Sequence, residues 1–224
     1  MRCLSLKQPP RNLTLKKCNQ LLDYVSWHPN ATIRYYASDM VLNIDSDAAY
    51  LVLPRAWSRL AGHYFLSSNP GPNRTVLPNG PILTECKTIK HVVSSATEAE
   101  TAALFHNAQM ARPIRHILQE LGHPQPPTPI KTDNATANAF IHQTMRHKKS
   151  KSWDMRYWWL KENTNQSEFN IFWDKGINNW ADYFTKHFSP KIHQILRQRY
   201  VHRTNLILDT IRSSLQRNLS ARVC

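Results

Sequence analysis

Apolar positions follow a helical period near the start of the chain and a strand period after it. Between positions 13 and 27 they recur at helical spacing, which predicts an amphipathic helix that ends before Pro29 and Asn30. Strand-like runs are predicted next over 32–36, 40–47, 62–67 and 82–93. Sequential strands joined by turns indicate an antiparallel meander.

The period becomes helical again at Ser95, which with Glu98 three residues later matches a capping box. The long helix that starts there is predicted to run to Leu121, and Pro113 should kink or divide it. Shorter elements follow: a strand over 130–132, helices over 135–143 and 153–161, a strand over 169–173, and a helix that carries Asp182 and is capped by Asn178 or Asn179. A meander followed by strands that alternate with helices predicts an α/β fold, a mixed sheet with helices on both faces.

The chain carries a large excess of positive charge, with 29 Lys and Arg against 15 Asp and Glu and a formal net charge of +14. Because each phosphate contact releases condensed counterions, this excess favours nucleic acid as a partner, with an anionic membrane surface as the alternative. No apolar run approaches the ~20 residues that cross a membrane, and the start lacks a signal peptide. We therefore expect no membrane partner and an intracellular protein, in a cytoplasmic particle or the nucleus.

Acidic residues are scarce, so those at the ends of predicted elements are informative. Asp47 ends the first long strand, and Asp133 ends the strand after the long helix. If these strands are parallel neighbours, both carboxylates lie at the carboxyl edge of the sheet, where open α/β sheets bind ligands. A glutamate in the first turn of the long helix and Asp182 would complete a set of four.

Each of these acids alone is also consistent with an ordinary role as a turn former, a helix cap or a solvated surface group. As a converging set, they are what two-metal hydrolysis of a phosphodiester requires. Carboxylate oxygens suffice to hold hard cations such as Mg²⁺.

Six short motifs occur in order between about Leu15 and Pro190. They are Ser46-Asp47-Ala48, Gly62-His63-Tyr64-Phe65-Leu66, Val93-Ser94-Ser95-Ala96-Thr97-Glu98-Ala99-Glu100, Thr132-Asp133-Asn134 with Ala137, Ser152-Trp153-Asp154-Met155-Arg156-Tyr157, and Ala181-Asp182-Tyr183-Phe184-Thr185-Lys186. As an ordered set they resemble the ribonuclease H domain of copia-type long-terminal-repeat retrotransposons. The chain departs from that pattern at Ala49, Tyr50 and Thr101, where the family has an acid, a tryptophan and a tyrosine.

The resemblance implies a ribonuclease H-like fold, in which a mixed five-stranded sheet has three antiparallel strands and then parallel strands, flanked by helices. It also implies catalytic metal ligands at Asp47, Glu100, Asp133 and Asp182, holding two Mg²⁺ or Mn²⁺ ions. Glu98 and Glu100 lie on different faces of a helix, so only one can point at the ions. The family pattern favours Glu100 and leaves Glu98 to cap the helix. Asp45 shares a strand face with Asp47 and is a candidate for a supporting group.

A basic stretch with neighbouring aromatic residues is the candidate surface for nucleic acid. Its members are Arg146, Lys148, Lys149 and Lys151, with Trp153, Arg156 and Tyr157 close by. A merely solvated basic run and aromatic core packing are the alternatives, and core packing is expected for Trp158 and Trp159. The 2′-hydroxyls of an RNA–DNA hybrid would let such a surface tell RNA from DNA.

The resemblance also predicts how the chain is organised. We expect an N-terminal helix and extension over 1–38, the remnant of a connection to a polymerase, a ribonuclease H-like domain over 39–189, and a basic helical tail over 190–224. A Tyr-x-Asp-Asp polymerase signature does not occur in the sequence. The chain therefore resembles a C-terminal Pol fragment whose partner is the reverse transcriptase portion of the same polyprotein.

The predicted function is metal-dependent endonucleolytic hydrolysis of the RNA strand of RNA–DNA hybrids. One alternative is a catalytically degenerate fragment with the same fold that only binds nucleic acid. Another is DNA strand transfer of the integrase or transposase kind, against which the closing Asp182 and Lys186 motif argues.

Overall fold

A computed structural model describes residues 12–68, 76–142 and 151–203. The chain forms two compact units, Tyr35–Leu196 and a smaller one that combines Met1–Arg34 with Arg197–Cys224. In the smaller unit, helix α1 (Asn12–Ser26) precedes strand β1 (Ala31–Thr32), which pairs antiparallel with β7 (His202–Arg203). The three segments expected from sequence, with boundaries at 38/39 and 189/190, stay a prediction.

The larger unit is built on one five-stranded sheet in the order β4-β3-β2-β5-β6. Its strands are β2 (Val41–Leu53), β3 (Trp57–Ser67), β4 (Pro81–Ile89), β5 (Thr128–Thr132) and β6 (Phe169–Trp173). Strands β2, β3 and β4 form an antiparallel meander, and β5 and β6 run parallel to β2. The predicted ribonuclease H-like arrangement of three antiparallel strands followed by parallel strands is confirmed.

The helices of the larger unit are α2 (Ala96–Glu120), α3 (Ala135–Ile141), α4 (Lys151–Asn165), α5 (Asp182–Thr185) and α6 (Pro190–Arg197). Pro113 does not divide α2, and the kink that was expected as the alternative stays a prediction. Buried Ala108, Ala111 and Leu118 lie on both sides of the proline and hold both halves of the helix against the core.

Among the described residues, no helix is both long and apolar enough to cross a membrane.

Strand boundaries differ from the sequence prediction at several places. Strands β3 and β5 begin earlier than expected, at Trp57 and Thr128, and β4 ends at Ile89. The run over 32–36 does not form a strand of its own, because β1 ends at Thr32. Strand β2 does not end at Asp47 but continues to Leu53, because the hairpin with β3 supplies backbone partners beyond that point.

The two faces of the central strand β2 have different characters. Leu42 and Ile44 belong to the main apolar cluster, together with Leu104 of α2 and Ile130 of β5. Successive side chains of a strand point to opposite faces, so Asn43, Asp45 and Asp47 share the other face. There His63 of β3 is fully buried, and its ring lies 5.6 Å from that of Trp180 and 6.0 Å from that of Phe184. The face that carries the acids is thus covered by the short segment around α5.

A buried asparagine joins α2 to the antiparallel part of the sheet. The amide of Asn107 donates to Ser46 Oγ at 2.8 Å and to the carbonyl of Ala61 at 2.9 Å, and it accepts from the Tyr64 hydroxyl at 2.8 Å. A Cβ atom on Gly62 would lie 2.5 Å from Asn107 Oδ1 and 2.7 Å from Tyr64 Cε2. Only glycine leaves room for this hydrogen-bonded group.

Replacing Gly62 with alanine should therefore destabilise the fold. Overpacking of this kind costs about 1–3 kcal/mol, which urea unfolding followed by circular dichroism would measure. Gly122→Ala is the control, because a Cβ there meets nothing within 4 Å and only the backbone φ of +86° is unfavourable. Equal stability of Gly62→Ala and the unchanged protein would contradict the packing described here.

Candidate active site

Three aspartates from separate elements converge at the carboxyl end of the parallel strands. The β2–β5 ladder ends at the pair Asp45 and Lys131, so Asp47 lies just beyond it, and Asp133 directly follows β5. Asp182 is the first residue of α5. Carboxylate oxygens of Asp47, Asp133 and Asp182 all lie within 4.8 Å of one another.

Helix α5 is joined to Asp47 by its last residue. The Thr185 hydroxyl donates a short hydrogen bond to the Asp47 carboxylate. Lys186, which follows the helix, places its Nζ 2.5 Å from Asp182 Oδ1. A hydroxyl donor and an ammonium group thus hold two of the three carboxylates.

The two glutamates at the start of α2 point in different directions. Ser95 is the N-cap, and its Oγ accepts from the Glu98 N–H at 3.1 Å. The Glu98 carboxylate turns back to accept from the N–H and hydroxyl of Ser94, both at 2.7 Å. Glu100 instead points toward β2, where its Oε1 accepts from the Ala48 N–H at 3.1 Å. Its Oε2 is buried and has no hydrogen-bond partner among the described residues.

Burial and mutual repulsion raise the pKa of these acids. Burial, followed by the charge of Asp182, raises the pKa of Asp47 to about 7. Burial and then the charges of Asp47 and Asp133 raise the pKa of Glu100 well above its ordinary value. Burial and the charge of Asp182 also raise the pKa of Asp133. Each shift reports that the ionised carboxylate is disfavoured here, first by burial and then by repulsion from the neighbouring acids.

Lys186 supplies part of that compensation. Burial lowers its pKa, but the hydrogen bond to Asp182 and the charges of Asp47, Asp182 and Asp133 outweigh burial and raise it. The ammonium group is therefore held charged by the same carboxylates that it neutralises.

The donor set fits divalent cations. All four acids offer oxygen, the ligand type that Mg²⁺ and Mn²⁺ prefer. The buried Glu100 Oε2 gains no hydrogen bond in the described structure, and an ion is a partner that would satisfy it. The backbone also comes close to Asp133, because a Cβ on Gly176 would lie 3.0 Å from Asp133 Oδ2.

Asp45 is turned away from this cluster. Its Oδ1 lies 2.9 Å from Lys131 Nζ, and its Oδ2 accepts from the Trp180 N–H at 3.0 Å. Burial raises the pKa of Asp45 despite the opposing charge of Lys131. Asp45 thus contacts the segment that leads into α5.

The predicted nucleic-acid residues are only partly described. Arg146, Lys148 and Lys149 lie outside the described residues; Lys151 and Trp153 belong to α4, but their side chains are not among those described. Arg156 is half-buried and donates to His91 Nε2 at 2.8 Å, whereas Tyr157 is buried in the packing of α4. Trp158 is 57% exposed, so its expected place in the core is wrong, while Trp159 packs against the core as expected.

Some residues of this site carried no assigned role in the sequence interpretation. Thr185 and Lys186 stand in the closing motif, which was the available signal for them. Lys131 occupies an ordinary strand position. Its contacts with Asp45 and with the carbonyl of Asn178 join residues that are far apart in the sequence. The predicted cap by Asn178 or Asn179 is wrong, because α5 begins later, with Ala181 at its N-cap.

The raised pKa values predict how the stability of the ion-free protein depends on pH. An acid whose pKa is higher in the folded chain keeps its proton longer there, so the contribution of Asp47 to stability is greatest below about pH 4 and falls as the pH rises to about 7. For Asp47 the loss is about 4 kcal/mol, since one pKa unit corresponds to about 1.4 kcal/mol. Urea unfolding in EDTA across this pH range measures it.

The Asp47→Asn variant should lose much of this pH dependence, and the variant of the exposed Asp39, Asp39→Asn, should keep it. Addition of Mg²⁺ at pH 8 should stabilise the unchanged protein, because a ligand of the folded state shifts the unfolding equilibrium. Identical pH profiles for the two variants would show that Asp47 is not the buried acid responsible.

Comparisons with known proteins add the following. No family model matches the chain. In overall structure it is similar to the N-terminal ribonuclease H domain of a Mycobacterium tuberculosis protein, with a TM-score of 0.44, 11% identity, and coverage of 71% of this chain and 97% of that one. It is also similar to LC11 ribonuclease H1 in complex with an RNA/DNA hybrid (TM-score 0.46, 9% identity, 64% and 92% coverage). A third likeness is to the prototype foamy virus protease-reverse transcriptase (TM-score 0.40, 15% identity, 65% and 20% coverage).

A relative is found by sequence as well. The chain is 30% identical over 107 residues to the retrovirus-related Pol polyprotein from transposon TNT 1-94 of Nicotiana tabacum. The matched part is 48% of this chain and 8% of that polyprotein, so the chain spans less than a tenth of its relative's length. The resemblance to a retrotransposon Pol polyprotein, predicted from the ordered motifs, is thereby confirmed.

Proposed function

We propose that the chain is the ribonuclease H part of a retroelement Pol polyprotein. It hydrolyses the RNA strand of RNA–DNA hybrids endonucleolytically with two divalent ions, Mg²⁺ or Mn²⁺. The observation that carries this proposal is the convergence of Asp47, Asp133 and Asp182 within 4.8 Å. The buried Oε2 of Glu100, which has no hydrogen-bond partner in the part of the chain that the structure describes, supports it.

Four residues would hold the ions: Asp47, Glu100, Asp133 and Asp182. When bound, two such ions activate the attacking water and stabilise the charge that develops on the phosphate oxygens. The chain's own contribution is to fix the ligands. Thr185 orients the Asp47 carboxylate, and the indole N–H of Trp173 donates to the carbonyl of Asp133 at 2.9 Å. Lys186 keeps a positive charge beside Asp182.

A groove with several basic side chains lies along the helix that carries Glu100. It is lined by the following turns of α2, including Phe105 and His106, by Lys90 and His91 after β4, and by Arg156 of α4. The guanidinium of Arg156 lies 6.0 Å from the centre of the Phe105 ring and donates to His91. We propose that this groove contacts phosphates of the hybrid, because Lys90 is exposed and Arg156 is anchored.

The polyprotein relative supports a second element of the proposal. Since this chain matches only 8% of that relative, similarity extends to a small part of a much longer protein. We infer that the nuclease acts beside the reverse transcriptase portion of the same polyprotein, which makes the hybrid that it cuts.

A labelled RNA–DNA hybrid tests the proposed reaction. With Mg²⁺ or Mn²⁺ the unchanged protein should cut only the RNA strand and leave matched RNA and DNA duplexes intact. Asp133→Asn and Glu100→Gln should each lower the rate by about 100-fold or more, because an ion-held transition state loses several kcal/mol of stabilisation. Tight hybrid binding without cleavage under either metal would overturn the enzyme and leave a binding module.

Glu98→Gln is the matched control for Glu100→Gln. The two residues are two positions apart at the start of α2, but the Glu98 carboxylate accepts hydrogen bonds from the N–H and hydroxyl of Ser94, which a glutamine can also do. The control should therefore keep its activity within a few-fold. Equal losses in both variants would point to damage of the helix start and not to loss of a metal ligand.

Arg156→Gln tests the groove. The variant should bind the hybrid more weakly, and the slope of log affinity against log salt should decrease by about 1, as expected for one lost phosphate contact. Arg112→Gln is the control, because that guanidinium already pairs with Glu168 at 2.7 Å. Fluorescence anisotropy in EDTA measures both, and an unchanged slope for Arg156→Gln would exclude a phosphate contact.

A further inference from the structure

An ion pair between a buried aspartate and a largely buried lysine ties the segment before α5 to the centre of the sheet. Asp45 of β2 is 3% exposed and pairs with Lys131 of β5 at 2.9 Å. Lys131 Nζ also donates to the carbonyl of Asn178 at 2.7 Å, and the second oxygen of Asp45 accepts from the Trp180 N–H. The pair therefore holds the backbone four and two residues before Asp182.

A neighbouring side chain secures the residues between these points. Asn179 is buried; its amide donates to the carbonyl of Ser46 at 2.8 Å, and its oxygen accepts from the Ala181 N–H at 3.1 Å. The backbone over 178–181 is thus bound to strands β2 and β5 on the same side of the sheet as Asp47.

Helix α5 has little means of placing Asp182 by itself. It has four residues and no side-chain cap at its N-terminus. Its later residues have contacts of their own, since Cys86 Sγ donates to the carbonyl of Phe184 at 3.1 Å and Arg59 to that of Thr185 at 3.4 Å. The end that carries Asp182 depends on the segment over 178–181.

We propose that Asp45 and Lys131 are positioning residues for Asp182. They clamp the entrance of α5 so that the Asp182 carboxylate meets Asp47 and Asp133, a role that rests on the proposed nuclease function. Stability alone is a poor reason for such a pair, since burying two charges is often no better than burying apolar residues. Lys131 also donates to the carbonyl of Asn178, and the second oxygen of Asp45 accepts from the N–H of Trp180. The pair also adds no net charge beside the acidic cluster.

The double variant Asp45→Asn/Lys131→Met tests the clamp without leaving a buried charge unpaired. Amide hydrogen exchange at Trp180 and Ala181 should become faster by about tenfold or more, because the segment opens locally. Mn²⁺ affinity, measured by electron paramagnetic resonance on the hybrid-free protein, should fall by about 10-fold to 100-fold, as for other groups that orient metal ligands. Unchanged exchange together with unchanged Mn²⁺ affinity would overturn the proposal.

Two further variants separate positioning from stability. Arg112→Met breaks the ion pair between Arg112 of α2 and Glu168, the residue before β6. This variant should lower the free energy of unfolding while leaving Mn²⁺ affinity unchanged. Lys131→Arg keeps the charge, and it should bind Mn²⁺ more like the unchanged protein than like the double variant. Equal Mn²⁺ loss in Arg112→Met and the double variant would overturn positioning in favour of a general stability effect. The same conclusion follows if Lys131→Arg matches the double variant.

Failure of the proposed nuclease function can be distinguished from failure of the positioning role of Asp45 and Lys131. If the unchanged protein binds no Mn²⁺ and cuts no hybrid, the nuclease proposal fails. The exchange rates at Trp180 and Ala181 then still decide whether Asp45 and Lys131 hold the entrance of α5.

Discussion

Repulsion between carboxylates is the constraint on which the arrangement of the larger unit depends. At about 4 Å, two unit charges in partly buried surroundings repel by about 4 kcal/mol. Asp47, Asp133 and Asp182 lie close to this distance, and Glu100 adds a buried fourth acid. They stay together because each is fixed from outside the cluster: by the sheet, by the capped start of α2, and by the contacts of Thr185 and Lys186 with Asp47 and Asp182.

The division of β2 into an apolar and an acidic face makes this arrangement compatible with a folded core. Leu42 and Ile44 are buried under α2, while Asp45 and Asp47 face the short segment around α5. The long helix thus stabilises the sheet and reaches the acidic site through Glu100, which accepts from the Ala48 N–H and whose pKa is raised in part by the charge of Asp47. One face of β2 therefore packs in the apolar core, and the other face carries Asp45 and Asp47.

Much of this was predictable from local patterns in the sequence. The meander, the capped long helix and the later strands each have signals within a few residues, and the alternation along β2 puts Asp47 on a face with Asp45. The entrance to α5 was not predictable, because α5 has four residues and its anchors reach across the chain, from Trp180 to Asp45 and from Asn179 to Ser46. The burial expected of Trp158 was wrong, because an aromatic residue in a helix is buried only if its side chain points toward the core. The sequence pattern around Trp158 did not give that direction.

The short helix α5 also has a consequence for the order in which the centre is made. Asp47, Glu100 and Asp133 leave the ribosome well before Asp182, since chains are synthesised from the N-terminus and domains fold as units. A nascent chain therefore contains the residues of all five strands of the sheet and three of the acids before it contains the fourth. Premature termination ahead of α5 would release a chain with every strand segment of the sheet but an incomplete set of acids, so the site is completed only late in translation.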